Sequence, residues 1–105
     1  GTGEGFTNAD HPALASQLFA AYANARRVRV LASVMGQEGL SDIDRDYLAF
    51  GDAFEEKLIS QATARTLEDS MAIAWEILGL LAETELTRLS NEQIIHYIRR
   101  EKARA

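Results

Sequence analysis

Met35-Gly36-Gln37-Glu38-Gly39-Leu40-Ser41-Asp42-Ile43-Asp44 separates two long amphipathic patterns, and its reading decides the fold. Gly36 is the natural left-handed stop of the helical pattern before it, because a residue without Cβ enters positive φ at no steric cost. Ser41 can accept a hydrogen bond from the backbone N–H near Asp44 while Asp44 reaches back, an acidic version of the capping box. Asp42 and Asp44 also suit the positive end of the helix that follows. One helix therefore ends and another begins within a few residues, which makes the two rods antiparallel neighbours.

Outward from this bend, the same signals recur in both directions. Upstream, Asp10 or His11 is expected to cap the first helix, with Pro12 in its first turn where a missing N–H costs nothing. Leu14, Leu18, Ala21, Ala25, Val28, Ala32 and Met35 repeat at threes and fours along one face. Phe19, Ala23, Val30 and Val34 mark a second apolar face, so this helix should sit between neighbours. Downstream, Ile43, Tyr47, Phe50, Phe54 and Leu58 form the expected core stripe of the second helix, with acids opposite. Gln61 to Arg65 read as a short connection, and Thr66 caps a third helix whose shared face is Leu67, Met71, Ala74, Leu78 and Leu81, with Ile77 nearby and Trp75 flanking. Glu83 to Leu89 has room for one helical turn, and Ser90 with Gln93 repeats the capping box before Ile94, Ile95 and Ile98. No stretch alternates as a half-buried strand would. The expectation is an all-α domain, a small bundle of four main helices with an extra short helical turn. Residues 1–10 read as a polar, Gly-rich incoming linker, 11–98 as the helical domain, and 99–105 as a basic tail.

Composition narrows the function. A chain of 105 residues is one small domain. Its apolar runs fall far short of the roughly 20 residues needed to cross a bilayer, so it should be soluble without direct membrane insertion. The absence of cysteine excludes a disulfide framework and a thiolate metal site. The N-terminal stretch has no basic n-region and no apolar h-region, so it does not read as a secretion signal. A net charge of -5 argues against nucleic acid as a partner. The charge is also uneven. Residues 37–57 hold seven acids against Arg45 and Lys57, whereas Arg99, Arg100, Lys102 and Arg104 outweigh Glu101 at the end. The first region would attract a basic partner.

Features that could carry chemistry have plainer explanations. The glycines at 1, 3 and 5 are followed by no Gly-Lys-Ser or Gly-Lys-Thr, so they read as linker rather than a phosphate loop. His11 and His96 lie far apart in sequence, without a second ligand at helical spacing, and default to surface or cap. Asp42, Asp44 and Asp46 alternate at i, i+2, so on a helix they diverge and form neither an acid/base pair nor a calcium loop. The aromatic residues fall mostly at core spacing. No catalytic residue, metal ligand or cofactor is assigned within these residues. A small hydrolase built on the two histidines is kept as a rival, to be removed by inactivity and absence of bound metal.

The bend resists such reduction. Leu40 is apolar in a short turn ringed by acids, which suggests a tip that something touches; the alternative is a hydrophobic staple, with Leu40 packing back near Arg45. At this turn a family resemblance appears. Val34 to Arg45 is similar to the acidic helix-turn-helix of rotary ATPase ring subunits, which reads DELSEED in the F-type catalytic chain. Asp46-Tyr47-Leu48-Ala49-Phe50-Gly51-Asp52-Ala53-Phe54-Glu55 looks like the YLEFADAFE of V/A-type B subunits. Arg65 to Ser70 resembles their RSIEETL, Ala74 to Leu78 their WELLS, and Gly3 to His11 their GxGxTRxDH. Asn8 stands where family members usually have Arg, Ala62-Thr63-Ala64 replaces a Gly/Asn-rich loop, and Ala82 replaces a frequent Pro. Gly39 and Ile43 soften the acidic turn.

The resemblance implies the C-terminal helical domain of a non-catalytic B subunit, preceded in the family by a nucleotide-binding domain. It implies a place in a hexameric ring of alternating A and B subunits that couples ATP hydrolysis or synthesis to rotation of a central stalk and ion transport. The partners would be A subunits and central-stalk subunits, and the location cytoplasmic, peripheral to the membrane. Gln37, Glu38, Gly39, Leu40, Ser41, Asp42 and Asp44 would be the central-stalk contact. The competing expectation is a free-standing adaptor that presents the same acidic helix-turn-helix to a basic protein.

Overall fold

The computed structural model describes residues 10–59, 66–100 and 102. Four helices and no strand occur among them: α1 (Asp10–Met35), α2 (Asp42–Ala53), α3 (Leu67–Leu78) and α4 (Asn91–Gln93). Two are extended by wider, π-type turns, α2 through Phe54–Ile59 and α4 through Ile94–Arg99. Short 3-10 turns occupy Gln37–Gly39 and Glu83–Glu85, the second within the segment expected to hold a helical turn. Residues 1–9 of the linker expected over 1–10, the connection at 61–65, and residues 101 and 103–105 of the expected tail lie outside the described residues, as do Asn8 and Ala62 to Ala64.

Caps set the helix starts. Ser41 accepts from the Asp44 N–H at 3.1 Å while Asp44 accepts from the Ser41 N–H at 3.4 Å. Thr66 with Asp69 and Ser90 with Gln93 close equivalent boxes. Each satisfies backbone donors that a helix start leaves orphaned, worth about 0.5–2 kcal/mol. The first helix begins differently from expectation. Asp10 already belongs to the first turn of α1, and its carboxylate accepts from Gln93 Nε2 at 2.9 Å and from the Tyr97 hydroxyl. It ties the beginning of the bundle to its last helix.

The core lies where α1, α2 and α3 converge, closed below by α4. Leu14, Ala21, Ala25 and Val28 from α1 meet Tyr47 and Phe50 from α2, Met71, Ala74, Ile77 and Leu78 from α3, and Ile94 and Ile98. Trp75 is buried and stacks on Tyr97, with ring centroids 4.1 Å apart. Leu81, Leu86 and Leu89 in the connection to α4 are buried too. Among the described residues one polar side chain is fully inside: Gln17 accepts from the Arg88 N–H at 2.8 Å, pinning that connection against α1.

Three stripe assignments are corrected. Ile43 and Leu67, expected in the core, are exposed, because each sits in the first turn of its helix. Beyond Gly36 there is no α1 surface left to cover the start of α2, and Leu40 takes the core position that Ile43 was expected to fill. The second face of α1 is likewise uncovered by the described residues: Phe19, Val30 and Val34 are exposed, together with Met35 from the first stripe.

Candidate contact site at the acidic bend

The bend is rigid for reasons that can be read atom by atom. Gly36 has φ 81° and ψ 157°, a region essentially reserved for glycine and more restrictive than the expected left-handed helical stop. Its N–H still donates to Ala32 O at 2.8 Å, so α1 is closed before the chain turns. The 3-10 turn follows, with Gly39 N–H to Gly36 O at 3.2 Å and Leu40 N–H to Gln37 O at 3.1 Å. Arg45 reaches back from α2 and donates to Gln37 O at 3.1 Å. The capping box then fixes the entry into α2.

Leu40 is only 6% exposed and belongs to the hydrophobic core. Of the two readings of Leu40, the inward one holds: it plugs the end of the bundle and anchors the bend. Its neighbours point outward. Gln37, Glu38, Gly39, Ser41 and Asp42 are exposed, and Asp44 is half-buried with its carboxylate engaged in the cap. The seven residues singled out from the sequence are thus brought together in one projecting turn, six on its surface and one beneath it.

Behind the tip the two rods are braced. Arg29 on α1 donates to both carboxylate oxygens of Glu55, at 2.7 and 3.0 Å, and to Asp52 at 3.0 Å. The Tyr22 hydroxyl donates to the same Glu55, and the Tyr22 ring stacks on Phe54 at 4.6 Å between centroids. Donation from Arg29 and then from Tyr22 pulls the Glu55 carboxyl down to about 2. Gly51 allows the close approach of the rods here, since a Cβ would lie 3.0 Å from Ala25 Cβ. Glu55 and Asp52 therefore belong to an inter-helix brace rather than to a free acidic face. On the third side, the Tyr47 hydroxyl donates to Glu85 at 2.8 Å. Burial first and this bond second push the Tyr47 phenol up to about 12.

The remaining candidates stay apart from the bend. His11 lines an apolar groove with Leu14, Leu18, Leu58, Leu67 and Met71, and His96 meets Tyr97 edge-on. Among the described residues no cluster of three or more His, Cys, Asp or Glu could hold a metal ion. No helix among them is long and apolar enough to cross a membrane. The basic stretch begins within the last helical segment, where Arg99 pairs bidentately with Glu83 at 2.8 and 2.9 Å. Sequence reading missed the surface character of Val34 and Ile43 beside the tip; a signal was present in their place at a helix end and a helix start.

The geometry defines a small helical domain whose two longest rods meet in a braced, acidic turn. Comparison with known proteins gives that class a family. The family model for the C-terminal domain of V and A type ATP synthase matches residues 1–98. The V-type ATP synthase beta chain of Thermotoga neapolitana is 50% identical over 99 residues, covering 92% of this chain and 22% of that protein. The corresponding beta chain of Halothermothrix orenii is 48% identical over 101 residues, covering 94% and 22%. The B subunit of the A-type ATP synthase of Metallosphaera sedula is 48% identical over 99 residues, covering 92% and 21%. This chain belongs to the V and A type ATP synthase C-terminal domain family, and the resemblance read from its sequence blocks is borne out. It spans about a fifth of the length of the curated relatives it matches.

Proposed function

We propose that this chain acts as the C-terminal helical domain of the non-catalytic B subunit of a V/A-type rotary ATPase or ATP synthase. In a ring of alternating A and B subunits it presses on the central stalk through the turn formed by Gln37 to Asp44, converting ATP turnover into rotation and ion transport. The domain contributes no catalytic group or cofactor of its own; it serves as a lever. The observation that carries this reading is the family match over residues 1–98, reinforced by relatives named as B or beta chains at 48–50% identity. The stiffness of the bend supports it, since a lever transmits force only if its tip does not fold away under load. Three independent features resist such folding: the glycine-only backbone at Gly36, the Ser41–Asp44 cap and the Leu40 anchor.

The test uses full-length B subunit carrying Glu38→Lys and Asp42→Lys, assembled with its ring and stalk. Asp44 is left intact, because its carboxylate closes the cap and reversing it would unfix α2. Like charge facing a basic shaft should uncouple the machine: ATP hydrolysis persists while ions moved per ATP fall. Unchanged torque and unchanged coupling would refute the contact.

A further inference from the structure

The bend is not a purely acidic knob. Val30 and Val34, 66% and 81% exposed, stand four residues apart on one face of the last turns of α1. Ile43, 40% exposed, sits in the first turn of α2 on the other side of the bend. Between Val34 and Ile43 in the sequence, Glu38 and Asp42 are exposed and make no hydrogen bond or ion pair among the described residues. The rest of the tip is already committed: Asp44 to the cap, Arg45 to Gln37 O, Leu40 to the core. What remains available on the two helix ends that flank the turn is exposed aliphatic side chains and two unpaired carboxylates.

Resting on the reading that this bend meets a rotating stalk, we infer that the contact itself is apolar, with Val30, Val34 and Ile43 as the bearing surface and Glu38 and Asp42 as an electrostatic guide. The occupant that fits is a helix surface carrying exposed aliphatic side chains flanked by Lys or Arg. Charge complementarity selects the basic flank, since Glu38 and Asp42 carry charge that no described residue neutralises, whereas Asp52 and Glu55 are already paired with Arg29. The apolar centre follows from what a moving contact requires. Hydrogen bonds and close ion pairs have preferred angles and would favour one orientation of the shaft. Apolar contact is non-directional, so a surface that slides past can be supported at successive angles with little change in free energy. Carboxylates at the rim add long-range attraction that salt screens within about 8 Å at physiological ionic strength.

The experiment places a photocrosslinking amino acid at Gln37 of the full-length B subunit in the assembled complex, and reads the adduct formed with stalk subunits at low and high salt. Two backgrounds are compared: Val34→Gln with Ile43→Gln, and Glu38→Gln with Asp42→Asn. All four positions are exposed, and thermal melts confirm that each variant keeps its fold. The inference expects the apolar pair to cut adduct yield by roughly fivefold or more at both salt concentrations, because two aliphatic side chains lose their burial. The acid pair should cut it by no more than about twofold, the scale of screened surface charges. A yield that collapses with the acid pair or with salt, while the apolar pair matches the parent or loses no more, overturns the inference and leaves the stalk contact standing. An adduct with ring subunits alone, or none in the unmodified background, removes the stalk reading and the inference together.

Discussion

Replacing Gly36 by Ala should destabilise the domain through the backbone alone. With φ 81° and ψ 157°, Gly36 occupies a region where a residue with Cβ costs about 1–3 kcal/mol. Beyond its chain neighbours no atom lies within 4 Å of the added Cβ, so collision with the rest of the fold contributes nothing. Alanine restricts the unfolded chain and returns about 0.4–1 kcal/mol, leaving a net loss of about 1–2 kcal/mol. For a domain of this size that corresponds to a fall in Tm of roughly 5–15 °C. Gly39, three residues on, is the internal control. A Cβ there would approach Met35 Cε at 2.7 Å, but that atom ends a flexible, exposed side chain that can swing away, and Gly36 is the sole positive-φ residue among those described. Gly39→Ala should therefore change stability by no more than about 0.5 kcal/mol. Thermal and urea denaturation of the two variants beside the parent read both numbers. A Gly36→Ala protein melting within about 2 °C of the parent, or a Gly39→Ala protein losing as much as Gly36→Ala, contradicts the claim that backbone strain at Gly36 fixes the bend.

Two further outcomes concern the brace and the buried amide. Because Arg29 and Tyr22 hold the folded Glu55 carboxyl near 2, below its ordinary 4.5, its contribution is present above 4.5 and lost as pH falls toward 2. Glu55→Gln should lower the urea midpoint at neutral pH, with the gap to the parent closing across that acid window; a gap independent of pH would show that Glu55 titrates normally in the folded protein. Gln17→Ala leaves the Arg88 N–H without its acceptor and should cost about 1–3 kcal/mol, with hydrogen exchange at the Arg88 amide accelerating more than the α2 amides.

The helix ends are legible in the sequence because they are encoded locally. Ser41 with Asp44 and Ser90 with Gln93 act across three residues, and the N–H groups they satisfy are their own neighbours. The acidic bend is legible for the same reason, and its family resemblance rests on short blocks in register. What a helix face packs against is not local. The stripe containing Ile43 has the right period for the core, yet whether its first turn is covered depends on where α1 stops, and periodicity carries no such information. Asp10 reads as a cap because caps are short polar residues before a helix; its partners Gln93 and Tyr97 lie more than eighty residues away. Likewise nothing near Gln17 in the sequence announces that Arg88 will need an acceptor there.

In the proposed lever, the exchange of roles between Leu40 and Ile43 joins fold to function. Had Leu40 pointed outward, the tip would carry its apolar surface on an unanchored loop, free to yield when pushed. With Leu40 buried, the turn is fastened to the core at its centre, and the outward apolar groups, Val34 and Ile43, stand on the two helix ends that flank it. Force applied to those side chains passes directly into the long axes of α1 and α2. Further back, Arg29, Glu55 and Tyr22 oppose the shear between the rods that such force produces. A loop-borne patch could bind a partner equally well, but only a helix-borne one, tied across at its base, can push.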